Sequence, residues 1–152
     1  MESEKLSTAE LRNCTCSRLR RAGRRVTQLY GQALEPVSLT IGQFGLLAHL
    51  ATVDSTQSAG IAIGSLAEAR GMDPTTLTRN LKPLIAEGLI VTVPDPHDRR
   101  VRAVAISSRG REKFHAAAPL WQKAEAELST LLGAETKAAL NALLEVSIAK
   151  VA

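Results

Sequence analysis

A mainly α-helical domain carrying one small β-hairpin is the fold class this sequence predicts, and three observations predict it. Apolar side chains recur at three- and four-residue steps over much of the 152 residues, the spacing of helices that bury one face. Aromatic residues make up only 3% of a chain that is 45% apolar, so the core must be mainly Leu, Ile, Val and Ala, a composition that leans helical. Two β-branched runs flank a short polar tip and have the form of an antiparallel hairpin.

The elements follow in order. Leu11, Ala22, Val26, Leu29, Tyr30 and Ala33 mark one amphipathic helix from Thr8 to about Leu34. At 1.5 Å per residue it would run roughly 40 Å, longer than a small core can cover, so a partner chain is expected against it. Pro36 ends it by forcing its predecessor out of helical geometry. A second helix opens at Thr40, where Thr40-x-x-Gln43 has capping-box form, and continues through Ile41, Phe44, Leu47 and Leu50. Residues 54–60, DSTQSAG, read as a loop.

Ile63 to Arg70 makes a short helix and Gly71-Met72-Asp73 a turn. Asp73-Pro74 starts the next helix, with Asp as N-cap and Pro at the first helical position, and Gly88 closes it. Leu77, Leu81, Leu84 and Ile85 share one stripe of this helix, while Thr75, Thr76, Arg79 and Lys82 fall on the other side. Pro83 removes a backbone bond and should kink the last turns. The hairpin strands are Leu89 to Val93 and Val101 to Ile106, joined by PDPHDRR, whose basic side chains are His97 when protonated, Arg99 and Arg100. Ser107 or Ser108 caps a helix through Phe114, Leu120, Trp121, Leu128 and Leu131 that is interrupted or bent at Pro119, and Gly133 separates it from a last helix, Ala134 to Val151.

The length sets one domain with room for a core, and 22% charged residues exclude wholesale disorder. No stretch approaches the roughly 18 uninterrupted apolar residues of a membrane span. The start, MESEKLSTAE, is polar and acidic where a signal peptide would be basic and then apolar, so a cytoplasmic protein without a membrane partner is expected. Cys14 and Cys16 are too close to staple a secreted framework and are read as reduced thiols. The net charge is +4, with its basic excess centred in residues 1–36 and again in 61–113, a hint of a polyanionic partner. The three histidines, His49, His97 and His115, stand in no metal-ligand or nucleophile–base spacing, and there is no Gly-rich phosphate loop. An enzyme is therefore not expected, and no cofactor or metal is called for.

A short helix, a tight turn, a second helix with polar early turns and an immediate hairpin together form a winged helix-turn-helix. A helix about 10 to 12 Å across fits the major groove of double-stranded DNA, about 12 Å wide, where hydroxyl and guanidinium groups meet base edges and phosphates. The hairpin would carry Arg99 or Arg100 to the adjacent minor groove, where narrow A·T-rich stretches attract cations.

LAEARGMDPTTLTRNLKPLIAEGLI followed by DPHDRRVRAVAISSRGREKF resembles the helix-turn-helix and wing of the MarR family of bacterial transcriptional regulators, and LYGQALEPVSLTIGQFGLLAHL resembles the family's first two helices. The Asp98-x-Arg100 pair and the run at 76–81 are its most specific elements. The resemblance implies a homodimer that binds a palindromic operator, usually as a repressor. Residues 1–36 and 108–152 would form the helical dimerisation region, and 37–107 the winged DNA-binding lobe. It further implies that a small-molecule effector or cysteine oxidation changes lobe spacing, and with it DNA affinity.

On this reading Thr75, Thr76, Thr78 and Arg79 face bases, while Lys82, Arg99 and Arg100, with His97 at the tip, face phosphate or the minor groove. Plainer readings stand beside these: the threonines as capping or solvated residues, His97 as solvated, Arg100 as a structural partner of Asp98 or Asp73, and the whole as a protein–protein interaction module. Six arginines from Arg12 to Arg25, with no acid among them, read as a helix face making intersubunit ion pairs or as phosphate contacts.

Cys14-Thr15-Cys16 adds a sensing question. The family's organic-hydroperoxide-sensing branch carries a reactive cysteine near the start of its first helix, close to tyrosines, and Cys16 precedes Tyr30 by a similar fourteen residues. Arg12, Arg18 and Arg20 would favour the reactive thiolate. The branch's second tyrosine, however, is Arg20 in this chain. The alternatives are small half-buried helix residues, or thiolates that bind a metal or metalloid together with a partner chain's.

Overall fold

The computed structural model describes residues 8, 12–56, 60–95, 98 and 100–151. The elements are α1 (Thr15–Leu34), a short 3-10 turn (Glu35–Val37), α2 (Ile41–Thr56), β1 (Ile61–Ala62), α3 (Ile63–Ala69), α4 (Pro74–Ala86), β2 (Ile90–Pro94), β3 (Arg102–Ile106), α5 (Ser108–Leu132) and α6 (Ala134–Val151). The architecture is mainly helical with one small antiparallel sheet, as the sequence predicts.

The first helix differs from expectation. It is broken ahead of Thr15, because Asn13 lies in a turn and Cys14 is the N-cap with an extended ψ of 117°. Asn favours turns because its side chain competes for hydrogen bonds, and here its Oδ1 accepts from Arg18 Nη2 at 2.7 Å. The remaining helix is about 30 Å long. The second helix opens as its capping box requires: Gln43 N–H donates to Thr40 Oγ1 at 3.1 Å, and Thr40 N–H donates to Gln43 Oε1 at 2.9 Å. It runs on through residues 54–56, which the sequence assigned to a loop. Residues 57–59 of that loop lie outside the described residues.

The sheet order is β1-β3-β2, with Ile90 opposite Ile106 and Pro94 opposite Arg102 in the hairpin. The sequence missed β1. Only two residues long, it pairs with Ala103 and Val104 some forty residues away, so no local pattern announces it.

Leu34, Leu46, Leu47, Leu50, Leu66, Leu77, Leu81 and Leu84 are each at most 1% exposed and pack with Ile90 and Val104 in one core. Phe44 extends that core toward α5, stacking on Phe114 at 5.6 Å and on Trp121 at 5.8 Å between ring centroids. Ile85, expected in the buried stripe of α4, lies at its margin and is 38% exposed.

Two glycines hold the lobe together. Gly88, at φ +70°, ends α4 in a Schellman motif: Gly88 N–H donates to the Ile85 carbonyl and Leu89 N–H to that of Leu84. Gly110 lets α5 cross the strand, since a Cβ there would meet the Leu89 carbonyl oxygen at 2.0 Å. Ser107 is the N-cap of α5. Its Oγ accepts from Gly110 N–H at 2.9 Å and donates to the Gly88 carbonyl at 2.6 Å, so the base of the wing, the end of α4 and the start of α5 share one hydroxyl.

Neither helical proline ends its helix. Helix α4 continues past Pro83 to Ala86, and α5 continues through Pro119 without interruption. Pro119 is exposed, so the carbonyl that loses its donor there can turn to water. No residue of α6 is buried, and Leu143, Val146, Ile148 and Val151 are between 51% and 86% exposed. No single helix among the described residues is long and apolar enough to cross a membrane.

Candidate nucleic-acid interface

The candidate site is built on α4. Asp73 holds its first turn: Oδ1 accepts from Thr76 N–H at 2.9 Å, and the Thr76 hydroxyl donates to Oδ2 at 2.5 Å. The two bonds from Thr76 keep the Asp73 carboxyl below its ordinary range. Its negative charge at the helix start also complements the macrodipole.

Thr75, Thr76, Thr78, Arg79 and Lys82 are all exposed, as the sequence reading requires. They do not form one set. Pro74, Thr75, Thr78, Arg79 and Lys82 line a single shallow concavity, because positions 75, 78, 79 and 82 share one helical face. Thr76 falls about 100° from Thr75 around the helix, and its hydroxyl proton is committed to Asp73. The capping reading of Thr76 therefore has direct support. Thr78 donates to the Pro74 carbonyl at 2.8 Å, which leaves its methyl group and hydroxyl lone pairs to face outward.

The wing turn is held by aspartates. Asp98 N–H donates to Asp95 Oδ1 at 3.0 Å, Arg100 N–H donates to Asp98 Oδ1 at 2.9 Å, and Val101 N–H donates to the Asp98 carbonyl at 2.9 Å. Asp98 thus fixes the backbone of Arg100. The Arg100 side chain is exposed and forms no ion pair with Asp98 or Asp73 among the described residues. His97 and Arg99 lie outside the described residues.

The sensing candidates are separated within one chain. Cys14 and Cys16 are free and exposed at the start of α1, in place of the half-buried positions of the plainer reading. Tyr30 lies fourteen residues further along, about 21 Å up the helix, and is 7% exposed. Its hydroxyl donates to Glu125 Oε2. Burial first, and then Glu125, push that hydroxyl's pKa up.

Sequence reasoning missed two groupings. Glu125 receives Tyr30 on one oxygen and forms an ion pair with Lys137 through the other; a sequence separation of 95 hides Tyr30 and Glu125 from any local pattern. Separately, Phe44, Gly45, His49, Arg70 and Trp121 line a cleft between α2 and α5. Arg70 Nη2 lies 2.7 Å from where a Cβ on Gly45 would be, so that glycine makes room for the guanidinium.

The sequence model of the MarR family matches residues 37–101. Among solved structures, the transcriptional repressor CouR bound to a DNA duplex is 28% identical, with a TM-score of 0.79 over 96% of this chain and 99% of that one. The M. tuberculosis transcriptional regulator MosR in complex with DNA is 30% identical, with a TM-score of 0.75 over 90% of this chain and 98% of that one. MarR of E. coli in its apo form is 25% identical, with a TM-score of 0.68 over 87% and 95%. A comparison with curated proteins returns no match.

Proposed function

The chain belongs to the MarR family, and from that premise we propose that it is a cytoplasmic transcriptional repressor that binds a palindromic operator as a homodimer. The exposed face made by Thr75, Thr78, Arg79 and Lys82 on α4 carries this reading. A guanidinium beside small hydroxyl and methyl groups can read base edges, and an ammonium one turn on can meet the phosphate backbone. Thr76 keeps a supporting place as the residue that fixes Asp73. Arg100, and His97 and Arg99 at the tip, are assigned to the minor groove or flanking phosphates.

Residues 37–107 are the DNA-binding lobe, and residues 1–36 with 108–152 the dimerisation region. The exposed apolar side chains support this division, since Leu131, Leu143, Val146, Ile148 and Val151, each 51% exposed or more, concentrate on the end of α5 and on α6 with Leu19 on α1, whereas the lobe exposes only Ile85, Val91 and Val101 among its described large apolar residues. DNA binding is also what the repressor CouR and the regulator MosR show in their own complexes.

Affinity would be modulated at one of two places. The cleft with Arg70 and His49 over Phe44 and Trp121 lies where the lobe meets α5 and suits a small-molecule effector with a flat apolar body. Cys14 and Cys16, exposed at the start of α1, suit oxidation, with Tyr30 reached only through a partner chain. Mild organic peroxide should lower DNA affinity in the wild type; an identical response from Cys16→Ser protein removes the oxidation arm.

Selection of bound sites from a random DNA library, with reduced protein at near-physiological salt, tests the proposal, because purely electrostatic binding enriches nothing. The expected product is an inverted repeat with half-site centres about one turn apart. Folded protein that enriches no sequence would instead favour the protein–protein interaction module.

A further inference from the structure

Glu125 and Lys137 have no place in DNA contact, effector binding or the cysteine reading, yet with Tyr30 they form the one polar cluster among the described residues that ties α1, α5 and α6 together. Tyr30 on α1 donates to Glu125 Oε2, and Lys137 on α6 pairs with Glu125 Oε1. Lys137 Nζ also donates to Ser129 Oγ at 2.7 Å, so the ammonium is bound to α5 at two side chains. The cluster is shielded: Lys137 is 18% exposed, Glu125 33% and Tyr30 7%. We propose that Glu125 is a positioning residue that sets the angle between α6 and α5 and thereby the half-site spacing the dimer accepts.

The geometry makes this a long lever. Helix α5 is continuous from its Ser107 cap, which also binds the end of α4, to Gly133. Glu125 lies about 27 Å along that helix from the cap. Apart from Leu19 on α1, the exposed apolar residues assigned to the partner interface are on the far side of Glu125, at Leu131 and along α6. A tilt of about 5° at Glu125 would therefore move the base of the wing by roughly 2 Å. Two lobes moving symmetrically would change their separation by about 4 Å, comparable to the 3.4 Å rise of one base pair. Gly133 joins α5 to α6 through one residue, with backbone bonds from Gly133 N–H to the Ser129 carbonyl and from Lys137 N–H to the Gly133 carbonyl; the cluster adds directional side-chain bonds between the two helices to that turn.

This inference rests on the dimeric DNA-binding reading, and the experiment separates the two. Site selection is run with wild type, Tyr30→Phe, Glu125→Gln, Lys137→Met and Lys137→Arg, with thermal melting and mass in solution measured for each. Glu125→Gln keeps an acceptor for Tyr30 but loses the ion pair; Tyr30→Phe keeps the buried ring and loses one bond. The expected result is that folded, dimeric Glu125→Gln and Lys137→Met select a spacing changed by a base pair or more, or bind the wild-type site at least about tenfold more weakly, while Lys137→Arg behaves as wild type.

Variants that melt lower yet keep the wild-type spacing and bind within about twofold would show a merely stabilising cluster and overturn the proposal. If Glu125→Gln fails to fold, Tyr30→Phe decides: a relaxed spacing preference supports the proposal, and an unchanged one overturns it. Wild type that selects no site removes the DNA-binding reading and this inference together; wild type with a site that no variant alters removes only the inference.

Discussion

Arg79 stands out from its neighbours on α4 because the groups around it are already spoken for. Thr76 closes the Asp73 cap and Thr78 bonds back to the Pro74 carbonyl, so their hydroxyl protons serve the helix. Arg79, on the exposed face, gives no donor to a described residue. Arg79→Ala should cost about 1 to 3 kcal/mol of binding to the selected site and relax the base preference at one position. Uniform weakening over all sequences, measured by anisotropy titration, would assign Arg79 to phosphate instead. Glu125 makes a second residue-level prediction. Lys137 first, and then Tyr30, hold its carboxyl below the ordinary value of 4.5. The ionised form is thus favoured by folding: its stabilisation is complete above 4.5 and is lost as pH falls below that through the lowered native value. Melting temperature should drop more on such acidification for wild type than for Glu125→Gln.

The elements whose ends were legible in the sequence are those whose signals are local. Thr40 and Gln43, Asp73 and Pro74, and Gly88 act within three to five residues of themselves, and each does what its residue type dictates. Thr40→Ala should cost about 1 kcal/mol of stability by removing one half of the capping box. A larger change follows from a contact the sequence does not reveal. Gly110→Ala would place a methyl group 2.0 Å from the Leu89 carbonyl oxygen, forcing α5 off the strand at a cost of about 3 kcal/mol or more, read by denaturant unfolding. Gly110 looked like any glycine near a helix start, because its neighbour comes from another element. The same non-locality hid β1 and the Tyr30–Glu125 bond. The break at Asn13 is a different failure, since the apolar spacing on both sides favoured one continuous helix and a single polar side chain overrode it.

For the molecule as a whole, the proposed homodimer accounts for apolar surface that the single chain leaves exposed. The core under the lobe is completed by Leu34 and Ala117, whereas no residue of α6 is buried and Leu143, Val146, Ile148 and Val151 stand exposed, surface that a second copy would cover in the proposed dimer. The expectation of a partner came from the length of one unbroken helix from Thr8, and the break at Asn13 shortens that helix; the registration of α6 against α5 is not legible in the sequence, because it depends on side chains far apart in the chain. Ile148→Glu should convert the dimer to monomer in sedimentation at micromolar concentration, with loss of operator binding but retention of helical signal. In the proposed complex, two copies of α4 enter successive major grooves on one face of the duplex. Hydroxyl-radical and methylation footprinting of the wild-type protein on its selected site tests it most directly. Two symmetric patches of major-groove protection centred about 10 base pairs apart are expected, with added minor-groove protection at the outer edges from the wings. A single protected patch, or protection without fixed register to the sequence, would contradict it.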